Sequence, residues 1–363
     1  MKHTLPRALA PLGLALALTL PVAAAGMSSF VPKVEYTPFS DVDANAWYAA
    51  DVEKAVELGL MKGKGDGRFD PQGQLSLAEA ITMAVQVHST YTGESFTPGG
   101  STWYQNAVDY ALENGLVLQG EYNDYTAPAT RADMAGIFAY ALPTSELERI
   151  NRVANVPDVT SSTDYAEAIY LLYNAGVLAG TGNGSFAPDT TIDRASAAAI
   201  LNRIALPESR VELNMDTPAS GTTVESPDKA FRLTFGAGDW KEITEDGASG
   251  LTFTDQSGTI QALSFAKADG GAKDLETFSV GRLTALRDEL GGVELLQQPG
   301  VVLFRGLPAV SWRYQVVNTV YTVFCVENSG SYVELTLSHA SGASADTAYQ
   351  QLLATAYTLD LAL

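Results

Sequence analysis

The sequence predicts a multidomain chain, an all-α repeat region followed by an α+β domain with an antiparallel sheet. Three observations carry this expectation. A helix–loop–helix unit is written three times between residues 39 and 206. Composition turns to Ser, Thr, Pro and Asp after Pro207, as in a linker. From Ala230 onward, short apolar runs are separated by turn residues, the pattern of a strand meander.

Bulk composition narrows the function classes. Hydrophobic residues make up 46% and charged residues 18% of the 363, which describes a folded chain. The formal net charge of -20 argues against a nucleic-acid partner, because phosphate binding needs a basic footprint. An anionic ligand held by a few local arginines stays compatible with it. The first 25 residues read as a secretory signal peptide. Lys2 and Arg7 form its positive start, Leu14 to Leu20 its apolar core, and Ala23 and Ala25 the small residues before a cut after Ala25. Removing Lys2 and Arg7 takes the formal charge from -20 to -22. No later stretch is apolar enough to span a bilayer, so no transmembrane segment is expected in the mature chain. The single cysteine, Cys325, cannot form an internal disulfide. It sits in an apolar, strand-like run with no histidine placed to activate it, which reads as a buried, inert thiol.

The repeat begins with a glycine-rich loop. "GKGDGRFDP" (63–71) returns as "GTGNGSFAP" (180–188), 117 positions later. The same register pairs Asp41 with Asp158, Tyr48 with Tyr165, Gly59 with Gly176 and Ser76 with Asp193. A middle copy lies at an offset of 56, where residues 101–118 match 45–62. The units are placed at 39–91, 96–142 and 156–206. In the first, Tyr48, Val52, Ala55 and Gly59 share a helical face, with Gly59 as its C-terminal stop. In the second helix Leu77, Ile81, Ala84, His88 and Tyr91 share a face, and His88 there reads as a packed histidine. Each second helix starts on a cap, "SLAE" at 76–79, "TRAD" at 130–133 and "DRAS" at 193–196. Arg131 and Arg194 occupy the first helical position, where the helix end is already partly positive. A fork of donors at that point makes an anion site. A surface arginine paired with a nearby carboxylate accounts for the spacing equally well. The glycine loop ahead of it favours the anion site, since it brings bare backbone N–H groups near a ligand. The loop is neither a P-loop nor a dinucleotide fingerprint, and "DVDAN" (41–45) lacks the glycine a calcium loop requires.

The combination of Phe-x-Asp-Val, Trp-Tyr, a glycine-ended helix, the glycine loop ending in Phe-x-Pro, and Thr-Arg-Ala resembles the S-layer homology (SLH) domain. The resemblance covers about 39–206. It implies a pseudo-threefold helical bundle whose grooves bind secondary cell-wall polysaccharide carrying a pyruvate ketal. Peptidoglycan is the other wall partner. On this resemblance the glycan-binding residues are Arg131, Arg194, Asp41, Trp47, Trp103, Asp158, Gly63, Gly65, Gly180 and Gly182. Trp47 and Trp103 fit a sugar-stacking surface and a filled bundle core equally well. No copy is complete. The first has Leu77 in place of the arginine, the second lacks the Asp-Val opening and has a shorter loop, and the third has Asp164 in place of the tryptophan. One or two working grooves are expected.

The remaining chain divides into a linker at 207–227, with one candidate strand in "VELNM", and a domain at 228–363. Strands are expected in "AFRLTF", "GLTFTD", "IQALSFAKA", "VELLQQ", "VVLFRG", "AVSWRYQVV", "TVYTVFCVEN" and "SYVELTLSH". Helices are expected at 275–290 and near the end, in "ADTAYQQLLATAYTL". "FRLTF…GDW", "FRGLPAVSWRYQ" and the closing helix resemble the PsbP-like α/β sandwich. That resemblance implies a mostly non-catalytic domain in which Trp240 and Trp312 are core residues. No nucleophile–base pair, metal spacing or cofactor motif stands out. Asp239, Glu242, Glu245 and Asp246 cluster near Trp240 but read as solvated turn charges. The expected protein is therefore a secreted, non-enzymatic cell-wall or S-layer component that displays its last domain. The alternative is a wall-anchored hydrolase or ligand sensor.

Overall fold

The computed structural model describes residues 26–361 apart from 183, 216–217, 237, 244–249, 268–271 and 292. The signal expected at 1–25 lies outside the described residues, as do Glu245 and Asp246. The chain divides into two compact units. One gathers the described residues up to Asn151 with Leu171–Leu213, and the other gathers Arg152–Tyr170 with those from Asn214 onward. The division cuts through the unit placed at 156–206.

The first compact unit is helical. Its helices are α1 (Ala49–Glu57), α2 (Leu77–Thr92), α3 (Gln105–Glu113), α4 (Arg131–Phe138), the end of α5 (Ala166–Asn174) and α6 (Arg194–Ala205). Val52 and Ala55 of α1 and Ile81 and Ala84 of α2 are fully buried, as the 3.6-residue spacing requires. Gly59 adopts φ +72°, and the N–H groups of Gly59 and Leu60 return to the carbonyls of Val56 and Ala55. This paired closure satisfies the last carbonyls of α1 and needs a left-handed residue at its turning point. The caps form as the sequence predicts. Ser76 accepts from the Glu79 N–H while Glu79 accepts from the Ser76 N–H, and Thr130 with Asp133 repeats the exchange. Asp193 caps α6 by accepting from the Ser196 N–H at 2.7 Å. His88 packs beside Tyr110, with Nδ1 2.9 Å from its hydroxyl.

Three residues just before those caps form a closed ring of backbone hydrogen bonds. The N–H of Leu75 donates to Ile192, that of Ile192 to Ala129, and that of Ala129 to Leu75, at 3.0, 3.2 and 2.8 Å. The helix starts follow the same circuit. Leu77 and Ala78 donate to the carbonyls of Ala127 and Tyr125, Arg131 and Ala132 to those of Thr190 and Pro188, and Arg194 and Ala195 to those of Gly73 and Pro71. Each second helix therefore starts on the loop of the next copy, and the third returns to the first.

The other compact unit holds two antiparallel sheets. The smaller has the order β1-β2-β10, from β1 (Thr222–Glu225), β2 (Phe231–Phe235) and β10 (Asp360–Leu361). The larger uses β3 (Lys241–Glu242), β4 (Gly250–Thr254), β5 (Thr259–Ala266), β6 (Glu294–Phe304), β7 (Leu307–Val316), β8 (Thr319–Glu327) and β9 (Ser331–Ala340). Its order is β3-β4-β5-β9-β8-β7-β6. Among the described residues, helices α7 (Leu275–Leu290) and α8 (Ala345–Ala356) accompany the sheets. On one face of the large sheet, Phe278 and Leu283 of α7 pack with Val310, Trp312, Tyr314, Val323, Cys325 and Tyr332. Cys325 is buried there, and burial raises its thiol pKa well above the ordinary range. Trp240 is half-buried against Phe235.

Three strand expectations change. "VELLQQ" and "VVLFRG" form one strand, β6, with two register shifts around Gln297. Pro299 is tolerated because β6 lies at the sheet edge and pairs only with β7. "VELNM" forms no strand, and Met215 makes one isolated parallel bridge to Val153. β1 falls inside the stretch expected to be linker.

Residues 152–170 join this unit through specific contacts. At the β6–β7 hairpin, Arg305 is buried, lies 4.6 Å above the Tyr170 ring and donates to the carbonyls of Val153 and Ala154 at 3.0 and 2.9 Å. The Gly306 N–H donates to Glu167 of α5 at 2.9 Å, and the Tyr357 hydroxyl donates to the same carboxyl. Asp360 receives both Arg152 (2.8 Å) and Arg232 (2.5 Å).

Candidate functional site

The arginines reach across copies. Arg194 lies 4.6 Å above the Phe69 ring, and its Nε and Nη2 donate to the carbonyls of Phe69 (2.8 Å) and Lys62 (2.6 Å). Only 4% of it is exposed. Burial pulls its pKa down, and Glu79, Asp70 and Asp41 oppose that pull. Arg131 repeats the geometry on the third loop, 4.8 Å above Phe186 with Nε 2.7 Å from its carbonyl. Each guanidinium thus holds a glycine loop in place. The helix-start amides that the sequence left for an anion are engaged by loop carbonyls and capping side chains, which corrects that part of the sequence reading. The loop phenylalanines are the partners that reading missed. Their signal was there, since the first and third loops carry Phe at the same place between glycine and proline.

Asp41 braces the first loop by accepting from the N–H groups of Phe69 and Asp70, both at 2.8 Å. Burial works against its charge, but these two donors and Arg68 outweigh burial and lower its pKa. Asp158 lies half-buried in the segment before α5. Gly63 is required by contact, because a Cβ there would lie 2.5 Å from the Phe39 ring. Gly65 and Gly182 occupy matching positions at φ +89° and +93°, which a side chain disfavours. Gly180 sits close under the Ser185 carbonyl, 2.7 Å from where its Cβ would be.

The tryptophans face solvent. Trp47 is 66% and Trp103 56% exposed, so neither fills the core. Each stands edge-on to the tyrosine that follows it, Tyr48 at 5.4 Å and Tyr104 at 5.3 Å. An indole held open at a helix start offers a flat apolar plate with a polar edge, which suits a sugar ring. Among the described residues, no group of three or more His, Cys, Asp or Glu could hold a metal ion. No helix among them is long and apolar enough to cross a membrane.

Residues 38–81 and 157–198 match the S-layer homology domain. The chain is 28% identical over 184 residues to the S-layer protein sap of Bacillus anthracis, covering 49% of this chain and 21% of that protein. It is 30% identical over 149 residues to the surface-layer 125 kDa protein of Lysinibacillus sphaericus, covering 37% and 13%. It is 28% identical over 173 residues to an amylopullulanase of Thermoanaerobacterium thermosulfurigenes, covering 45% and 9%. The chain thus spans about a fifth or less of these relatives' lengths. Among solved structures, the cyanobacterial PsbP (CyanoP) of Synechocystis matches 41% of this chain over 97% of its own length, at 14% identity and a TM-score of 0.33. Two segments of this chain thus match the S-layer homology domain, and the relatives it resembles include surface-layer proteins of two organisms.

Proposed function

We propose that the three repeats act as one non-covalent anchor for an acidic secondary cell-wall polysaccharide, with a pyruvate ketal as its charged group. The ring of hydrogen bonds through Leu75, Ile192 and Ala129 carries this reading, because it links the middle copy to the other two by the same backbone contacts. Arg131 and Arg194 fix the loops that wall the grooves and supply the positive field the glycan meets there. Trp47 and Trp103 offer the stacking surface. Asp41, Gly63, Gly65, Gly180 and Gly182 keep the loops in the shape that faces the sugar. The domain after the repeats is read as a PsbP-like α/β sandwich with a non-catalytic binding or structural role. Its one thiol is buried, which removes a cysteine nucleophile from the candidates.

Co-sedimentation of the full chain with purified cell walls tests the anchor. Binding is expected to vanish when the secondary polysaccharide is stripped and to fall sharply when mild acid removes its ketals. Binding that survives stripping would make peptidoglycan the ligand. Release of sugar or peptide from those walls by the same protein would overturn the non-catalytic role.

A further inference from the structure

One of the three helix starts has no arginine. Leu77 stands first in α2 and is buried, and the loop that α2 meets is the short one of the second copy. That loop brings Tyr122 and Tyr125 together at 6.4 Å and sets Tyr125 beside Tyr104 at 6.2 Å. Tyr104 in turn stands edge-on to Trp103. Tyr122 is buried, Tyr104 and Tyr125 are half-buried, and Trp103 is mostly exposed. The four rings form a wall that begins in the core and ends in solvent.

The charge beside this wall is negative. Burial raises the Tyr125 phenol pKa, and Glu121 and Asp109 raise it further. Asp109 accepts from the Gln105 amide at 2.8 Å, and Glu121 accepts from the Leu118 N–H at 2.6 Å. Lys64, which reaches the start of α2, is ion-paired there with Glu79 at 2.8 Å. The other two helix starts carry Arg131 and Arg194 over phenylalanine rings.

We propose that the Trp103–Tyr104–Tyr125 face binds an uncharged saccharide, in contrast to the acidic sugar proposed for the grooves walled by the arginine-held loops. The inference rests on the repeats being glycan-binding. Aromatic rings cover the C–H faces of a pyranose without regard to charge. Carboxylates accept hydrogen bonds from its hydroxyls, and they repel a sugar that carries a carboxylate of its own. Two kinds of groove would let one anchor read both a charged terminus and a neutral stretch of the same wall glycan.

The test titrates the full chain calorimetrically with chitotetraose, cellotetraose and mannotetraose, and with tetragalacturonate as the acidic counterpart. At least one neutral oligosaccharide is expected to bind. Trp103→Ala should weaken it tenfold or more, Trp103→Phe should keep most of the affinity, and Asp109→Asn should not improve it. Tetragalacturonate should not compete at this face in the native chain and should gain affinity in Asp109→Asn. Because Trp103 is exposed, its replacement leaves the core intact, and the far-UV circular dichroism and thermal unfolding of the same variant check its folding. Absence of binding by all three neutral probes, or binding indifferent to Trp103→Ala, would overturn the proposal. If the native chain still sediments with walls, that outcome leaves the anchor standing and removes only this face. Failure of wall sedimentation removes the anchor instead.

Discussion

Removing the Arg194 side chain takes a donor from the Phe69 carbonyl in a buried setting and from the Lys62 carbonyl in a partly buried one, and strips the Phe69 ring of its cover. Arg194→Ala is therefore expected to lower unfolding stability by about 3 kcal/mol. Arg194→Lys should recover less than half of that, because an ammonium cannot span both carbonyls as the flat fork does. Denaturant unfolding followed by circular dichroism reads both values. The position of the arginine was legible in the sequence, but its direction was not. A fork of donors beside a glycine loop suits an external anion and a neighbour's carbonyls alike. The chain separation of 125 residues between Arg194 and Phe69 is the term a linear reading cannot supply. The tryptophans were ambiguous for a related reason, since spacing places an indole on a helix start without saying which side of it meets water.

At the scale of the element, local chemistry was the legible part. Reciprocal caps need only a hydroxyl and a carboxylate three residues apart, and Ser76–Glu79 and Thr130–Asp133 form them as expected. Thr130→Ala should cost about 1 kcal/mol, measured by the same unfolding transition. Strand identity was legible from alternation, whereas strand continuity was not. β6 runs through Pro299 because its outer edge asks for no donor there, and edge status is a property of the sheet order. Pro299 and the two register shifts also blunt that edge against pairing with another chain. Pro299→Val is expected to raise concentration-dependent self-association, seen as faster species in sedimentation velocity. β1 escaped notice because its Thr-rich run, "TTVE", has the composition of the linker around it.

The whole molecule is partitioned differently from its repeat pattern. Periodicity marks 156–206 as one unit, yet Arg152–Tyr170 is held by Arg305, Gly306, Tyr357 and Asp360. Glu167 stands at the centre of that attachment. Burial raises its pKa from 4.5 to about 7, and the bonds from Tyr357 and Gly306 and the nearby Arg305 offset this only in part. The folded chain then keeps this proton up to about pH 7, while the unfolded chain releases it near pH 4.5. Stability from this group is thus full below the lower value and is lost as pH rises through the upper one. Glu167→Gln should stabilise the protein on the order of 2 kcal/mol at pH 8 and leave it unchanged at pH 4, because the amide can donate to the Tyr357 oxygen while still accepting from Gly306. Thermal unfolding across that range checks both ends, and equal shifts at both pH values would refute the assignment.

The ring through Leu75, Ile192 and Ala129 also constrains how such a chain can diverge. Each copy departs from the motif at a different residue without opening the circuit, since every link is made by backbone groups that any residue but proline supplies. Most substitutions near the axis therefore leave the circuit whole, whereas proline at position 75, 129 or 192 would remove a donor and break it.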